Sequence, residues 1–505
     1  MTEPISRNLF TDPLWRPEDL GAPLPDLPHA VSMCLPTWES VIGYEERDPE
    51  VRQKLACGYP RFVAHPEYGE LCAAAEAEFA RRDEKALVFP SLASAWRAAD
   101  FVKQHCGASC RLESYGWENL TVLLVEPAGF ETAWKARQHG GEIVSSRNAE
   151  AALTDEPLPE DLAHAGQAAL ERVRTRIGLL TGESPEDIFL FSSGMAAIAA
   201  LHRAALARKP GIPTAQVEFP YVDALKVQKL FNVSGAVDLS IAPQGGAAEV
   251  KAVLDRGDSL AAVFTEAPSN PLLRTPDLAS LKTLLEPIGV PLFVDDTVAT
   301  PANVDALRFA DAATGSLTKL FSGAGDVMAG SVTLRGDSPF RDELREALAS
   351  AEADSPLFAL DAIMLEQNSR DFLERLPVVN ANGETIFEFL DEHPAVERVW
   401  YPKRETPAHY EAVLKQGGGY GGLMSVLLKD ASRTAPKFYD ALEFSKGPSL
   451  GTNFSLACPY TLIAHYGELP WAAQCGVDAN LVRLWIGLEP VDELLDRLDR
   501  ALAGE

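Results

Sequence analysis

Gly-Ser-Leu-Thr-Lys-Leu-Phe-Ser-Gly, residues 315–323, and Val-Asp-Asp-Thr, residues 294–297, are the two stretches that decide the fold. A run of apolar and small residues, Phe309 to Thr314, precedes Lys319 and predicts a strand, and a second predicted strand ends at Asp295. A lysine and a carboxylate at the ends of neighbouring strands are what pyridoxal phosphate chemistry requires. The lysine amine forms an imine with the cofactor aldehyde, and the carboxylate keeps the pyridine nitrogen protonated.

The sequence around these two stretches alternates between strand and helix patterns from Asp187 onward. The predicted strands are Ile188–Phe191, Val237–Ile241, Leu260–Thr265, Pro291–Val294 and Gly330–Leu334, and the predicted helices are Met195–Arg208, Asp277–Leu285 and Pro339–Ser350. This alternation indicates an α/β protein with a mostly parallel sheet covered by helices on both faces.

The composition limits the possible functions. A net charge of −28 disfavours binding to nucleic acid or to anionic membranes. Met1 to Asp12 lack a signal-peptide pattern, and no apolar run reaches membrane-spanning length. The seven cysteines have no metal-ligand spacing, so we expect reduced thiols in a cytoplasmic protein without a metal site.

The length of 505 residues predicts several domains. We expect an N-terminal arm over residues 1–66, an inserted α/β segment over 67–165, a large domain over 166–376 and a smaller C-terminal α/β domain over 377–505. A strong strand is predicted at Thr121–Val125 within the inserted segment. Phe89-Pro-Ser-Leu-Ala-Ser-Ala and Phe191-Ser-Ser-Gly-Met-Ala-Ala echo each other, but Ala-rich helix starts often do, and we predict no tandem repeat.

A phosphate site is one interpretation of Ser192, Ser193 and Gly194, which lead from a predicted strand into a helix. The first N–H groups of a helix bind phosphate, and simple capping by serine is the alternative. Ser316 and Thr318 flank Lys319 and could offer hydroxyls to the same phosphate, or serve ordinary turns.

Three further residues are candidates for contacts with a ring or a substrate. Tyr221 could stack on the cofactor and move protons, with a half-buried structural tyrosine as the alternative. Asn270 follows a predicted strand at the sheet edge where ligands bind. Arg483 lies in an apolar strand, where a charge needs a partner; a substrate carboxylate and a structural ion pair are both compatible with it.

Taken together, these motifs resemble the Cys/Met-metabolism enzymes that use pyridoxal phosphate, from about residue 29 to the carboxyl terminus. The resemblance rests on Tyr-x-Arg at 59–61, Ser-Gly-Met-Ala-Ala at 193–197, Glu-x-Pro-Ser-Asn-Pro at 266–271, Val-Asp-x-Thr-x-Ala-Thr-Pro at 294–301, Ser-x-Thr-Lys at 316–319, Ser-Leu-Gly at 449–451 and Arg-x-x-x-Gly-Leu-Glu at 483–489. Gly58-Tyr-Pro-Arg-Phe and Gly141-Glu-Ile-Val-Ser-Ser-Arg are similar to the fungal-type cystathionine γ-synthases within that family.

The resemblance implies a fold of type I, like that of aspartate aminotransferase, with a seven-stranded large sheet. It implies that Lys319 forms the imine and that Asp295 and Tyr221 assist catalysis. The implied cofactor-binding residues are Tyr59, Arg61, Ser193, Gly194, Met195, Tyr221, Asp295, Thr297, Ser316, Thr318 and Lys319, and the implied substrate-binding residues are Asn270, Ser449, Arg483 and Lys226. Tyr59 and Arg61 would reach the site of a neighbouring subunit in a homodimer or homotetramer. Asp296 departs from the family pattern and would place a second carboxylate near the ring.

The implied reaction is a γ-replacement, in which O-acyl-L-homoserine and L-cysteine give cystathionine and a carboxylic acid in methionine biosynthesis. It requires pKa values of Lys319 and Tyr221 lowered toward neutrality by nearby cations. The alternatives are γ- or β-elimination, sulfhydrylation or substitution by another nucleophile, an aminotransferase, and a catalytically silent binding protein of the same fold. The inserted segment is interpreted as a structural elaboration.

Overall fold

A computed structural model describes residues 7–117, 119–154, 158–241 and 246–504. Residues 1–6 of the predicted arm, 118 and 155–157 of the predicted inserted segment, 242–245 of the predicted large domain and 505 of the predicted small domain lie outside the described residues. None of the helices in these described ranges is both long and apolar enough to cross a bilayer.

The first part of the chain carries a small sheet of its own. Its elements are α1 (Trp38–Glu45), α2 (Pro49–Arg52), α3 (Pro66–Phe79), β1 (Lys85–Phe89), α4 (Leu92–His105), β2 (Cys110–Ser114), β3 (Thr121–Val125), α5 (Phe130–Gly140) and α6 (Ser146–Thr154). The strands form an antiparallel three-stranded sheet in the order β1-β3-β2. The arm before α3 packs on the carboxyl-terminal domain, where Met33, Leu35 and Trp38 share its core.

The large sheet lies in the middle of the chain. Its region contains α7 (Glu160–Thr181), β4 (Ile188–Phe191), α8 (Gly194–Arg208), β5 (Thr214–Val217), α9 (Val222–Leu230), β6 (Ala236–Leu239), α10 (Ala247–Asp255), β7 (Val263–Glu266), α11 (Leu278–Leu285), β8 (Leu292–Asp295), α12 (Thr300–Asn303), β9 (Ala312–Ser316), β10 (Gly330–Leu334), α13 (Arg341–Asp354) and α14 (Ala359–Asn368). The seven strands follow the order β4-β10-β9-β8-β7-β5-β6. The pairs from β9 to β6 are parallel, and β10 is antiparallel to both of its neighbours, so the predicted mostly parallel sheet is confirmed.

The last part of the chain forms a smaller α/β unit. Its elements are α15 (Phe372–Glu392), β11 (Val396–Trp400), α16 (Pro407–Glu411), β12 (Leu423–Leu428), α17 (Ala431–Ala441), β13 (Ser445–Lys446), β14 (Leu456–Pro459), α18 (Tyr460–His465), α19 (Leu469–Gln474), β15 (Val482–Trp485) and α20 (Val491–Ala503). The strands form a five-stranded sheet in the order β11-β12-β15-β14-β13.

The register of the large sheet places the chemistry-bearing residues at one edge. Asp295 lies opposite Glu266 of β7 and Thr314 of β9, and Lys319 follows β9 by one turn. The strands are four or five residues long and almost wholly buried, because helices cover both faces. The carboxyl ends of neighbouring parallel strands therefore meet at a common edge, as ligand sites of open α/β sheets require.

Candidate active site

A cleft opens at this sheet edge. It is lined by most of the residues that the sequence predicted for the site: Tyr59, Arg61, Ser193, Gly194, Met195, Tyr221, Asn270, Asp295, Thr297, Ser316, Thr318, Lys319 and Arg483. The large sheet, the carboxyl-terminal unit and the arm all contribute to one cleft.

Lys319 lies in this cleft, in contact with the loop before β14. Its Nζ donates to Ser449 Oγ at 3.0 Å. Gly451 packs against the lysine with a φ of +76°, and a Cβ there would lie 2.7 Å from Lys319 Cβ, so this position requires glycine. Desolvation lowers the pKa of Lys319, the Arg483 and Arg61 cations lower it further, and Tyr59 opposes them. The lysine pKa is thus lowered in the expected direction, but burial contributes more than the nearby cations do.

Asp295 ends β8 beside a second carboxylate, that of Glu266, to which the sequence alone gives no role. The N–H of Thr297 donates to Asp295 Oδ1 at 2.8 Å, and desolvation raises the pKa of Asp295. Glu266, level with it on β7, accepts from the N–H groups of Tyr221 at 2.5 Å and Asn270 at 3.0 Å. Burial and the neighbouring Asp295 raise the pKa of Glu266. Glu266 therefore positions two site residues, and its place at the end of a buried strand was the available signal.

Asp296 does not line the cleft. It is buried in a separate cavity with Thr300 and Ser331. Burial raises its pKa well above the ordinary value, and the charge of Asp295 adds to this. Asp296, which was expected near the ring, thus lies outside the cleft, because successive residues leaving a strand point to opposite sides.

The amino terminus of α8 lines the cleft, and its free N–H groups suit an anion. The Ser193 hydroxyl accepts from the N–H of Ala196 at 3.1 Å and donates to the carbonyl of Gly141 at 2.7 Å, so this side chain is a helix cap. Gly194 and Met195 are the first two helical residues, and their N–H groups have no carbonyl four residues earlier in the helix. A Cβ on Gly194 would lie 2.9 Å from Ser316 Cβ. Only glycine lets the helix approach the strand that leads to Lys319.

Tyr221 and Arg61 are joined in the cleft. Arg61 Nη2 donates to the Tyr221 hydroxyl at 2.5 Å. Desolvation raises the pKa of Tyr221 well above its ordinary value, although Arg61 opposes the change. The expected lowering is wrong, because the loss of water outweighs one nearby cation. The structure places Tyr59 and Arg61 in the cleft of their own chain, whereas the resemblance implied the site of a neighbouring subunit.

Arg483 is buried on β15 and faces the same cleft. Its Nη2 donates to the carbonyls of Pro448 at 2.7 Å and Ser449 at 2.9 Å, and its Nη1 donates to Asn270 Oδ1 at 3.3 Å. Among the residues that the structure describes, no carboxylate forms an ion pair with Arg483. Its neighbours are neutral oxygens, which favours a substrate carboxylate over the structural ion pair.

Two predicted substrate-binding residues, Ser449 and Lys226, are not among the residues that line the cleft. Ser449 accepts from Lys319 through Oγ, as stated above. Lys226 is not among the lining residues, and its Nζ lies 3.8 Å from Glu468 Oε1 on a partly exposed side of α9.

The residues of the cleft fit pyridoxal phosphate. A desolvated lysine amine suits its aldehyde, and a carboxylate suits its ring nitrogen. A helix amino terminus and the Arg61 guanidinium, which line the same cleft, suit its phosphate. The fold and the site together define a pyridoxal phosphate-dependent enzyme.

Comparison with known proteins identifies the family. Residues 165–503 match the family described as Cys/Met metabolism PLP-dependent enzyme. The chain belongs to this family.

Two relatives match over nearly the whole chain, and a solved structure matches over about two thirds of it. A cystathionine gamma-synthase of Neurospora crassa is 33% identical over 96% of this chain and 98% of that protein. The L-2-amino-4-chloropent-4-enoate dechlorinase/desaturase of Streptantibioticus cattleyicolor is 32% identical over 92% of this chain and 95% of that protein. The crystal structure of cystathionine gamma synthase from Xanthomonas oryzae pv. oryzae in complex with cystathionine matches with a TM-score of 0.58 at 27% identity, over 65% of this chain and 84% of that one.

Proposed function

We propose that this enzyme catalyses a γ-replacement, in which O-acyl-L-homoserine and L-cysteine give cystathionine and a carboxylic acid. The position of Ser449 carries the proposal. Its Oγ accepts from Lys319 Nζ at 3.0 Å, and its carbonyl accepts from Arg483 Nη2 at 2.9 Å. An amine and a buried guanidinium thus lie on two sides of one residue, close enough for a single amino acid to contact both.

The residues divide the chemistry as follows. Pyridoxal phosphate, when bound, supplies an electron-accepting ring that stabilises negative charge at the substrate Cα. Arg483 holds the α-carboxylate in bidentate fashion, oriented by Asn270. Lys319 can accept the Cα proton on Nζ, because its lowered pKa favours the neutral amine.

The bond changes then occur at Cβ and Cγ of the substrate. Once Lys319 Nζ has passed the Cα proton on to the bound cofactor, the neutral amine can remove a proton from Cβ. The C–O bond at Cγ then breaks, and the acyl group leaves as a carboxylate. The thiolate of cysteine forms the new C–S bond at Cγ, its proton having gone to solvent, and Lys319 returns protons to Cβ and Cα. Two proton positions on one side of the substrate are within the reach of one flexible lysine.

The relatives support this reaction and name the main competitor. A cystathionine γ-synthase matches over almost the full chain, and a dechlorinase/desaturase matches nearly as well. The second name describes an amino acid that loses chlorine, so elimination without a second substrate is the alternative that an experiment must separate.

The test is incubation of the protein with O-acetyl-, O-succinyl- or O-phosphohomoserine and L-cysteine, with products identified by mass. We expect cystathionine and the free acid in equal amounts, and no product from Lys319→Ala. Lys251→Ala, at an exposed lysine paired with Asp255, is the matched control and should be unaffected. Release of a keto acid without cysteine would instead show that the enzyme catalyses elimination. Exchange of the amino group with a keto acid would show an aminotransferase. A colourless protein without activity would show a binding role.

Assembly and location complete the proposal. Assembly into a homodimer or homotetramer is expected from the resemblance and is testable by light scattering. A cytoplasmic location is supported by the seven cysteines, all free thiols in the described part of the chain.

A further inference from the structure

The two similar sequence segments have the same local structure. Ser91 and Ser193 both follow a strand by two residues and cap the helix that begins at the next residue. Their backbone angles are −159°, 165° and −161°, 162°, and each hydroxyl accepts from the N–H three residues later at 3.1 Å.

The offset between these serines, 102 positions, extends without a gap over three elements. Adding 102 to the number of the last residue of α3 gives the last residue of α7. The same addition takes the last residue of β1 to that of β4, and the first residue of α4 to that of α8. Buried residues also coincide: Leu71 with Val173, and Ala75 with Ile177. Agreement in both boundaries and buried face is not explained by Ala-rich helix starts alone.

The two sheets repeat the same pairing. In the small sheet Phe89 lies opposite Thr121, which lies opposite Ser114. In the large sheet Phe191 lies opposite Gly330, which lies opposite Ser316, and all four pairs of strands are antiparallel. The sheet β1-β3-β2 therefore matches β4-β10-β9 in order, direction and register.

The helices that follow also correspond. After β3, α5 packs on α4 and α6 packs on α3; after β10, α13 packs on α8 and α14 packs on α7. In the first unit only residues 106–109 connect α4 with β2, where the second unit inserts β5 to β8 and their helices. Residues 66–154 are thus a shortened counterpart of residues 160–368.

Contacts between the two units come in reciprocal pairs. The Ser91 hydroxyl donates to the carbonyl of Asp354, at the end of α13, at 2.5 Å, and the Ser193 hydroxyl donates to that of Gly141, just past α5, at 2.7 Å. Arg97 of α4 pairs with Asp354 at 2.8 Å. Arg203 of α8, one helical turn past the position equivalent to Arg97, pairs with Glu142 at 3.3 Å, and Glu142 also binds Arg97. Reciprocal contacts of this kind characterise an interface with two-fold symmetry between subunits.

This interface holds the arm motif in the cleft. Arg137 of α5 donates to the carbonyl of Pro60 at 2.9 Å, and Arg61 donates to the carbonyl of Gln138 at 2.9 Å. His139 Nδ1 lies 2.9 Å from Oδ1 of Asp223, the buried partner of Arg61. Three consecutive residues at the end of α5 thus fix the position of Arg61.

We propose that residues 66–154 are a truncated internal copy of the cofactor-binding unit, that the copy occupies the place of a neighbouring subunit, and that it completes the active site within one chain. The copy has no amine of its own at the equivalent position: Trp117 follows β2 by three residues, as Lys319 follows β9. Each pair of units therefore has one site. The contact of Arg61 with a phosphate rests on the proposed function; the placement of the copy does not.

Cross-linking tests the placement without any measurement of activity. Arg97→Cys and Asp354→Cys are combined in a protein whose more accessible cysteines, Cys72, Cys106 and Cys110, are serine. The partly exposed pair is bridged by a short bis-methanethiosulfonate reagent and analysed by non-reducing electrophoresis and peptide mass. We expect a cross-linked product with the mass of one chain, and none from either single-cysteine control. A product with the mass of two chains, or no cross-link, would overturn the proposal.

Complementation tests completion of the site in cis with the wild-type interface. Arg61→Ala and Lys319→Ala chains carrying different affinity tags are co-expressed, and hybrids are isolated by both tags. We expect either no hybrid or a hybrid no more active than its parents. If a neighbour supplies Arg61, one of two sites is intact and the hybrid reaches about half of the wild-type rate; that result would refute completion in cis. Absence of cystathionine formation by the wild type would refute the proposed function alone.

Discussion

The buried pair of Arg61 and Asp223 allows stability and cofactor binding to be separated. Their side chains are 8% and 0% exposed, and Arg61 donates to the Asp223 carboxylate and the Tyr221 hydroxyl. Burial alone would raise the pKa of Asp223, but Arg61 and His139 outweigh it, so this pKa lies well below the ordinary value. Asp223 is therefore charged at neutral pH and depends on Arg61.

Arg61→Met leaves that carboxylate buried with His139 as its remaining ionisable partner. Removing one member of a buried ion pair costs roughly 3–5 kcal/mol. Because the wild-type pKa of Asp223 is depressed, its stabilising contribution is present above the ordinary pKa and is lost as pH falls through the folded-state pKa. In the Arg61→Met variant, burial shifts the Asp223 carboxyl toward protonation. The difference in unfolding free energy between wild type and variant should therefore narrow as the pH falls from 7 to 5.

Arg61→Met combined with Asp223→Asn removes both charges. We expect it to recover most of the lost unfolding free energy, to within roughly 1–2 kcal/mol of wild type, since no uncompensated charge remains. Cofactor affinity should not recover. A lost charge-assisted hydrogen bond to phosphate, worth about 1.5–3 kcal/mol, weakens binding roughly 10- to 100-fold in both variants.

The assays are urea unfolding of the cofactor-free chains, followed by circular dichroism at both pH values, and absorbance titration with pyridoxal phosphate. Recovery of both stability and affinity in the double variant would show that Arg61 only neutralises Asp223. A loss below about 1 kcal/mol in the single variant would refute the argument from the buried pair.

Three further outcomes follow from the geometry. Asp295→Asn should lower kcat/KM at least ~100-fold, whereas Asp296→Asn, in a separate cavity and with a raised pKa, should stay within about threefold of wild type in the same assay. Burial lowers the pKa of Lys446 to about 7 from the ordinary 10.5. Between these two pH values the folded chain has lost a proton that the unfolded chain keeps. The free energy of unfolding should therefore rise with pH, by up to about 5 kcal/mol. Lys446→Met should flatten this rise in urea unfolding at pH 7 and 9.5, and the exposed Lys251→Met should not. Gly451→Ala, whose Cβ would lie 2.5 Å from Leu320 N at a φ of +76°, should weaken cofactor binding at least ~10-fold by absorbance titration, and Gly467→Ala, with open space around it, should have no effect.

Sequence patterns located the sheet edge because short apolar strands and the residues that end them are local features. Thr121–Val125 and Gly330–Leu334 were predicted with the observed bounds, and both are buried antiparallel strands. Lys319 and Asp295 follow from the same reasoning, since parallel neighbours bring their ends together.

What the sequence did not provide depends on orientation and solvation. The resemblance implied that Lys226 binds substrate. It lies five residues after Tyr221, however, and five helical residues turn a side chain about 140° away from its starting direction. The pKa of Tyr221 was expected to fall because a cation lies nearby, yet the structure shows that desolvation is the larger effect. Glu266 stood in a quoted motif without a role, because its two backbone donors come from separate loops.

The internal copy was hidden for a different reason. Between residues 66–105 and 168–207 few residues are identical, and the similarity around Phe89 and Phe191 is of a kind that Ala-rich helix starts often show. A buried position constrains polarity and volume rather than identity, so Leu71 can replace Val173 while the helix keeps its packing. Register in a sheet is stricter, because a shift of one residue would turn every side chain to the opposite face. A unit without its own catalytic lysine is under relaxed selection, so its residues should diverge while the register of its strands stays the same. The contacts of α5 with the arm keep the copy in place.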